Sequence, residues 1–162
     1  MIPLRFAYRL LLAVLMLVAV AALGRPAAAP PEPGPSDRCP VCGMLVAPFP
    51  EWLGRVLYAD GTAVFFDGPK DLFIFYEDLA TYQPGATRDQ VANLYVTEYY
   101  TTRLIPATEV FFVAGSDVLG PMGKELVPVA GREAAETFMR DHSGTKLMRF
   151  DGRELLDAQE QP

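Results

Sequence analysis

The chain has 162 residues, of which 20 are acidic and 14 basic, giving a formal net charge of −6. This length suffices for one modest domain or two very small ones. The negative surface repels nucleic acid and anionic lipid headgroups, which excludes nucleic-acid binding as a function, whereas a metal cation or a basic partner is not repelled.

The first 24 residues have the pattern of a signal peptide or an N-terminal membrane anchor. Arg5 and Arg9 form a basic start, and residues 10–24 carry neither a charge nor a polar side chain. An apolar run of about 15 residues behind a basic start is typical of a signal peptide, whereas a comfortable membrane span needs about 20. We expect an exported protein of the periplasm or cell envelope, with a membrane tether through residues 10–24 as the alternative to cleavage.

A Pro-rich tether, residues 25–37, follows the apolar run. It contains five prolines, which exclude both a helix and a sheet ladder and favour an extended chain. The folded body therefore begins near Arg38, and residues 157–162 form a short tail.

The sequence of the body predicts the same order of elements twice: strand, strand, helix, strand. The first unit, residues 38–101, has a loop over 39–50, strands over 52–58 and 63–66, a helix over 69–80 and a strand over 93–101. Pro69 suits the first position of that helix. The fold class is therefore α+β, with two ββαβ units packed together.

The second unit, residues 102–156, has strands over 109–114, 125–129 and 146–150 and a helix over 132–141. Pro128 indicates an edge strand, and Gly144 is expected to end the helix in a left-handed conformation. Each unit is marginal alone, so we expect the aromatic side chains to be buried where the units meet. These are Phe65, Phe66, Phe73, Phe75, Tyr99 and Tyr100.

Cys39 and Cys42 are the two cysteines of the chain, and His142 is its single histidine. A structural zinc site needs four ligands, so these three cannot complete one without a carboxylate. A redox pair fits the Cys-x-x-Cys spacing, but Gly43 and nearby prolines disfavour the helix that would activate the first thiol. A plain disulfide closing a small loop is a further alternative.

Copper(I) is the fourth interpretation of this segment. The ion is soft and accepts thiolate and thioether sulfur at low coordination number, and Cys42-Gly43-Met44 offers one of each. Gly43 permits the backbone to curl so that both sulfurs face one point. Met122 lies between glycine and proline rather than inside a periodic apolar element, so it is a third candidate ligand. His142, at a helix end, is a weaker candidate.

Several segments together resemble the NosL family. They are Arg38-Cys39-Pro40-Val41-Cys42-Gly43-Met44, Phe65-Phe66-Asp67-Gly68, Gly120-Pro121-Met122-Gly123-Lys124-Glu125-Leu126-Val127-Pro128 and Asp141-His142-Ser143-Gly144. The resemblance covers about residues 38–151. It implies two ββαβ units with a topology similar to organomercurial lyase.

The same resemblance implies a copper(I)-binding metallochaperone, not an enzyme, that serves the maturation of the copper centres of nitrous-oxide reductase. Its partner would be that reductase or its maturation transporter. The implied ligands are Cys42, Met44 and Met122, with Cys39 and His142 as further candidates. The competing hypothesis is a thiol-disulfide oxidoreductase that uses Cys39 and Cys42.

Overall fold

The computed structural model describes residues 31–158. The predicted signal or anchor over residues 1–24, the first part of the tether over 25–30 and the last residues of the tail lie outside the described residues. Within residues 31–158, no helix combines the length and apolar character that a membrane span requires.

The first half forms an antiparallel sheet with a helix on one face. Its elements are β1 (Gly54–Tyr58), β2 (Ala63–Phe66), α1 (Pro69–Glu77), α2 (Leu79–Tyr82), β3 (Val91–Thr97) and β4 (Leu104–Pro106). The strand order is β2-β1-β3-β4. The single helix predicted over 69–80 is interrupted at Asp78, which leaves helical geometry and accepts a hydrogen bond from the Thr81 backbone N–H, beginning α2.

The second half repeats this arrangement and adds a short hairpin. Its elements are β5 (Val110–Ala114), β6 (Leu119–Gly120), β7 (Gly123–Lys124), β8 (Val127–Ala130), α3 (Arg132–Asp141), β9 (Lys146–Phe150) and β10 (Leu155–Asp157). The second sheet has the order β10-β9-β5-β8, and β6 pairs with β7 alone. Strand β8, which contains Pro128, lies at the sheet edge as predicted. The α+β prediction is confirmed. Three short 3-10 turns complete the structure, at Pro50–Trp52, Arg88–Gln90 and Ala107–Glu109.

Helix α1 lies between the two sheets. On one side Phe75 contacts Phe66 of the first sheet, with ring centroids 5.1 Å apart. On the other side Phe73 contacts Phe112 of the second sheet edge to face at 5.0 Å. Helix α3 covers the far face of the second sheet, where Phe138 is fully buried. The layers therefore run first sheet, α1, second sheet, α3, and the main apolar core surrounds α1.

Further local predictions are wrong. The strand predicted over 93–101 ends at Thr97, and residues 99–101 form a turn. Tyr100, expected in the core, is 57% exposed, although its ring still contacts Tyr99 and Phe138 at the surface. The left-handed residue after α3 is Ser143 and not Gly144. Gly144 serves close packing instead, because a Cβ atom there would lie 2.4 Å from the Val113 side chain.

The described part of the tether contacts the first sheet. Glu32 forms an ion pair with Arg55 of β1 at 3.2 Å, and the Arg55 guanidinium lies over the Phe65 ring. Asp37 already belongs to the folded body, since its backbone carbonyl accepts a hydrogen bond from the Val46 N–H. This hydrogen bond joins the chain segments on either side of the 39–44 loop.

Candidate metal site

The Cys39–Met44 segment is a closed turn. The Cys39 N–H donates to the Met44 carbonyl at 2.9 Å, and the Gly43 N–H donates to the Cys39 carbonyl at 2.8 Å. Gly43 has a φ of +78°, a conformation that costs a glycine little and other residues more. The Arg38 guanidinium also donates to the Gly43 carbonyl. The turn therefore directs both cysteine side chains toward Asp67 and Asp71.

The two thiols are free and each is hydrogen-bonded to a carboxylate. Cys42 Sγ donates to Asp67 Oδ1 at 3.1 Å, and Cys39 Sγ donates to Asp71 Oδ2 at 3.4 Å. One ligand atom from each of these four residues lies within 4.8 Å of the others. Two sulfurs and two oxygens at this separation could hold a metal ion.

The two carboxylates come from the junction between β2 and α1. Asp67 directly follows β2, and Asp71 lies in the first turn of α1. Asp67 lies just before the N-cap residue Gly68, and the N-terminus of a helix favours negative charge at both positions. Both aspartates are buried, at 1% and 5% exposure. Buried carboxylates need partners, and here the thiols are those partners.

Burial raises the pKa of both thiols. The pKa of Cys42 is raised to about 11, chiefly because the folded chain removes water from the sulfur. The pKa of Cys39, which is only 1% exposed, is raised further by the same cause. Both cysteines are therefore protonated thiols at neutral pH when no metal is bound, and a metal ion must displace their protons.

We predict that Cys42 alkylates slowly in the native protein. In a Cys39→Ser variant, the reaction of Cys42 with iodoacetamide at pH 8 should be at least about tenfold slower than in the same chain unfolded in urea, since the thiolate is the nucleophile. The rate should keep rising as pH increases from 7 to 10. Mass spectrometry of quenched samples measures it, and a rate that levels off below pH 8 would contradict the raised pKa.

The two predicted methionine ligands lie on different elements of the structure. Met44 is half-buried and ends the turn that carries both cysteines. Met122 is 48% exposed at the tip of the β6–β7 hairpin. The hairpin packs on the start of α1 through Glu125, and the start of α1 is also where Asp67 and Asp71 contact the thiols.

Glu125 is a buried carboxylate beside the cluster. Its Oε1 accepts hydrogen bonds from the backbone N–H of Lys70 at 2.5 Å and of Leu126 at 2.8 Å. Burial raises the pKa of Glu125 to about 7, although these two hydrogen bonds lower it. The first backbone N–H groups of a helix lack internal partners, so the second unit supplies one to α1.

His142 is not brought to the cysteines. It follows α3, and its Nδ1 lies 3.0 Å from Asp117 Oδ1. Its ring stacks on Phe138 with centroids 4.3 Å apart. Among the described residues, the group that could hold a metal comprises Cys39, Cys42, Asp67 and Asp71, without the histidine.

Asp67, Asp71 and Glu125 were not among the site residues predicted from the sequence. A signal for the two aspartates was available, since acidic residues just before a predicted helix and in its first turn are favoured by the helix N-terminus. Nothing local predicts Glu125, whose partner Lys70 is 55 residues away.

The chain is similar to proteins of one known family. The NosL family model matches residues 30–154. The copper-binding lipoprotein NosL of Stutzerimonas stutzeri is 30% identical over 124 residues, covering 72% of this chain and 61% of the relative. The chain thus spans less than two-thirds of that relative's length.

A solved structure is also similar. The crystal structure of the copper chaperone NosL from Shewanella denitrificans aligns with a TM-score of 0.63 and 27% identity, covering 78% of this chain and 96% of that one. The family match extends over most of the chain and includes the turn, both aspartates and the hairpin. This chain belongs to the NosL family.

Proposed function

We propose that the protein is a copper(I) metallochaperone of the cell envelope, and not an enzyme. Its cargo would serve the assembly of the copper centres of nitrous-oxide reductase, delivered to that reductase or to its maturation transporter. Export to the periplasm, through a cleaved signal or a retained N-terminal anchor, is part of this proposal. Both relatives described above carry copper in their names, which supports the choice of cargo.

One observation carries the proposal: two free thiols converge in a closed turn with Cys42 only partly buried. Soft thiolate sulfur is the donor that copper(I) prefers, and two sulfurs satisfy its low coordination number. A half-exposed sulfur leaves a side from which a receiving ligand can attack. Tight binding and rapid transfer are then compatible.

We assign the ion to the sulfurs of Cys39 and Cys42, with the thioethers of Met44 and Met122 as additional ligands. His142 is the weakest of the sequence-based candidates, because its ring is already held by Asp117 and Phe138. In this assignment Asp67 and Asp71 hydrogen-bond the thiols and do not bind copper(I), since carboxylate oxygen is a poor ligand for a soft ion.

Zinc is the metal that most directly competes with this assignment. The sequence alone offered too few ligands for zinc, but the two aspartates complete a four-ligand set of two sulfurs and two oxygens. Zinc accepts such ligands at tetrahedral sites. A titration with both metals therefore has to accompany any test of copper binding.

The redox alternative lacks support. A reactive cysteine has a lowered pKa, typically at a helix N-terminus, whereas burial raises the pKa of both thiols here. Neither cysteine lies at the start of a helix. Both belong to a turn, and the first helical element after them is the 3-10 turn Pro50–Trp52. The raised pKa values keep both thiols protonated at neutral pH, which disfavours disulfide exchange.

A competition titration tests the proposal. The reduced full-length protein is titrated anaerobically with copper(I) against a chromophoric chelator. We expect one ion per chain, and about tenfold weaker binding for each of Met44→Leu and Met122→Leu, or roughly 1.4 kcal/mol per variant. Leucine removes the sulfur at nearly constant volume.

Met148→Leu is the matched control, since Met148 is half-buried inside β9. It should bind copper(I) like the parent. If the parent binds no copper(I), the proposed function is wrong. If Met44→Leu and Met122→Leu both bind like the parent, the thioether ligands are wrong.

A further inference from the structure

Glu125 connects the two units at the start of α1. Asp67 and Asp71, which accept hydrogen bonds from the thiols, lie at the same place. The Glu125 side chain extends from the second unit and accepts the Lys70 N–H of α1. The connection is doubled, because the Lys70 ammonium donates in return to the Lys124 carbonyl at 3.1 Å. Lys124 belongs to β7, so both contacts attach the β6–β7 hairpin to α1.

Two glycines make room for this carboxylate. A Cβ atom on Gly68 would lie 2.1 Å from Glu125 Oε2, and one on Gly120 would lie 3.1 Å from Glu125 Cγ. Gly68 has a φ of −168°, which any residue adopts, so its glycine is required by space and not by backbone conformation. Gly68 also directly follows Asp67, the partner of the Cys42 thiol.

The hairpin's own strands contribute little to fixing its position. Strands β6 and β7 are two residues each and pair only with one another among the described strands. Leu119 and Met122 on this hairpin are 63% and 48% exposed. So short a hairpin is not stable in water by itself, and its orientation depends on contacts outside it, among them those of Lys124 and Glu125 with α1.

We infer that Glu125 is a positioning residue, which holds the hairpin and Met122 at its tip against the start of α1, so that copper(I) affinity depends on this contact between the two units. The inference rests on the proposed function, since it presupposes Met122 as a ligand. Residues that orient metal ligands typically change metal affinity by about 10- to 100-fold when removed.

A double-mutant cycle in the full-length protein tests it. Copper(I) affinity is measured by chelator competition for Glu125→Ala, alone and combined with Met122→Leu. We expect Glu125→Ala to weaken binding about tenfold with Met122 present and less than about twofold in the Met122→Leu background. An equal loss in both backgrounds would show that Glu125 does not act through Met122, which overturns the inference.

Two further variants separate positioning from charge and from folding. Glu125→Gln keeps the Oε1 acceptor for both backbone N–H groups, so we expect it to stay within about threefold of the parent. Gly68→Ala collides with the Glu125 carboxylate and should weaken binding like Glu125→Ala, again only when Met122 is present. A glutamine variant as weak as the alanine variant would contradict positioning by hydrogen bonds.

Glu98 supplies the matched control. It is also a buried carboxylate that bridges the units, but its partners are Thr101 and the Ala130 N–H. Glu98→Ala should lower the free energy of unfolding and leave copper(I) affinity within about twofold of the parent. If Glu98→Ala weakens copper binding as much as Glu125→Ala, the effect is structural and the inference fails. A parent chain that binds no copper(I) would instead contradict the proposed function itself.

Discussion

Replacement of both cysteines by serine is expected to lower the copper(I) affinity of this protein by at least about a thousandfold. The change exchanges two soft sulfurs for hydroxyl oxygens, which copper(I) binds poorly. Each serine can still donate a hydrogen bond to Asp67 or Asp71, as the thiols do at 3.1 and 3.4 Å, so the fold should persist. Circular dichroism and anaerobic chelator competition measure fold and affinity on the same sample.

The two aspartates provide the decisive comparison for that experiment. A variant with Asp67→Asn and Asp71→Asn keeps both sulfurs and retains acceptor oxygens for the thiols. We expect its copper(I) affinity to stay within about tenfold of the parent, while zinc binding falls by about 100-fold because zinc uses the oxygens. If the affinities for copper(I) and zinc fall together, the aspartates bind copper(I) as well, and the assignment of the ion to sulfur ligands alone is wrong.

The same four side chains can form a hydrogen-bonded cluster without a metal ion or can bind one. Each thiol proton is already hydrogen-bonded to a carboxylate, so the metal-free site is complete without an ion. Under the proposed function, copper(I) would replace the two thiol protons by one positive charge shared between two thiolates. The metal-free chain would then stay folded without the ion, as a carrier that alternates between loaded and empty states requires.

The order of elements was predictable because turn residues separate well-patterned segments. The predicted strands 63–66 and 146–150 and the helix over 132–141 have the observed bounds. Each lies between clear breakers, such as Asp67-Gly68-Pro69 or the turn at Ser143. The β6–β7 hairpin was not predicted, since two-residue strands carry no alternating pattern.

The site was only half predictable for a different reason. The turn that holds Cys39, Cys42 and Met44 is local in sequence, so spacing and Gly43 reveal it. Asp67 and Asp71 are separated in sequence by 25 and 32 residues from the cysteines that they contact. Glu125 is separated by 55 residues from Lys70 of α1. Burial of an acidic side chain depends on how segments distant in sequence pack together, within the first unit for Asp67 and Asp71 and between the units for Glu125, and no periodicity within one element reports it.

The largest expected loss of stability follows replacement of Phe112 by alanine. This side chain is fully buried on β5 and contacts Phe73 of α1 edge to face, where the second sheet packs on α1. Removing a buried phenylalanine costs about 3–5 kcal/mol, from lost apolar burial and the cavity left behind. Denaturant unfolding of the reduced, metal-free protein, monitored by circular dichroism, measures the change.

Phe111 is the control for this layer order, because adjacent residues of a strand point to opposite faces of the sheet. Phe111 is half-buried on the α3 side, beneath the guanidinium groups of Arg132 and Arg149. Phe111→Ala should cost about half as much as Phe112→Ala or less, since less area leaves water. Equal losses would mean that the second sheet does not bury one face against α1. A larger loss for Phe112 is expected because its ring, and not that of Phe111, is fully buried against Phe73 of α1.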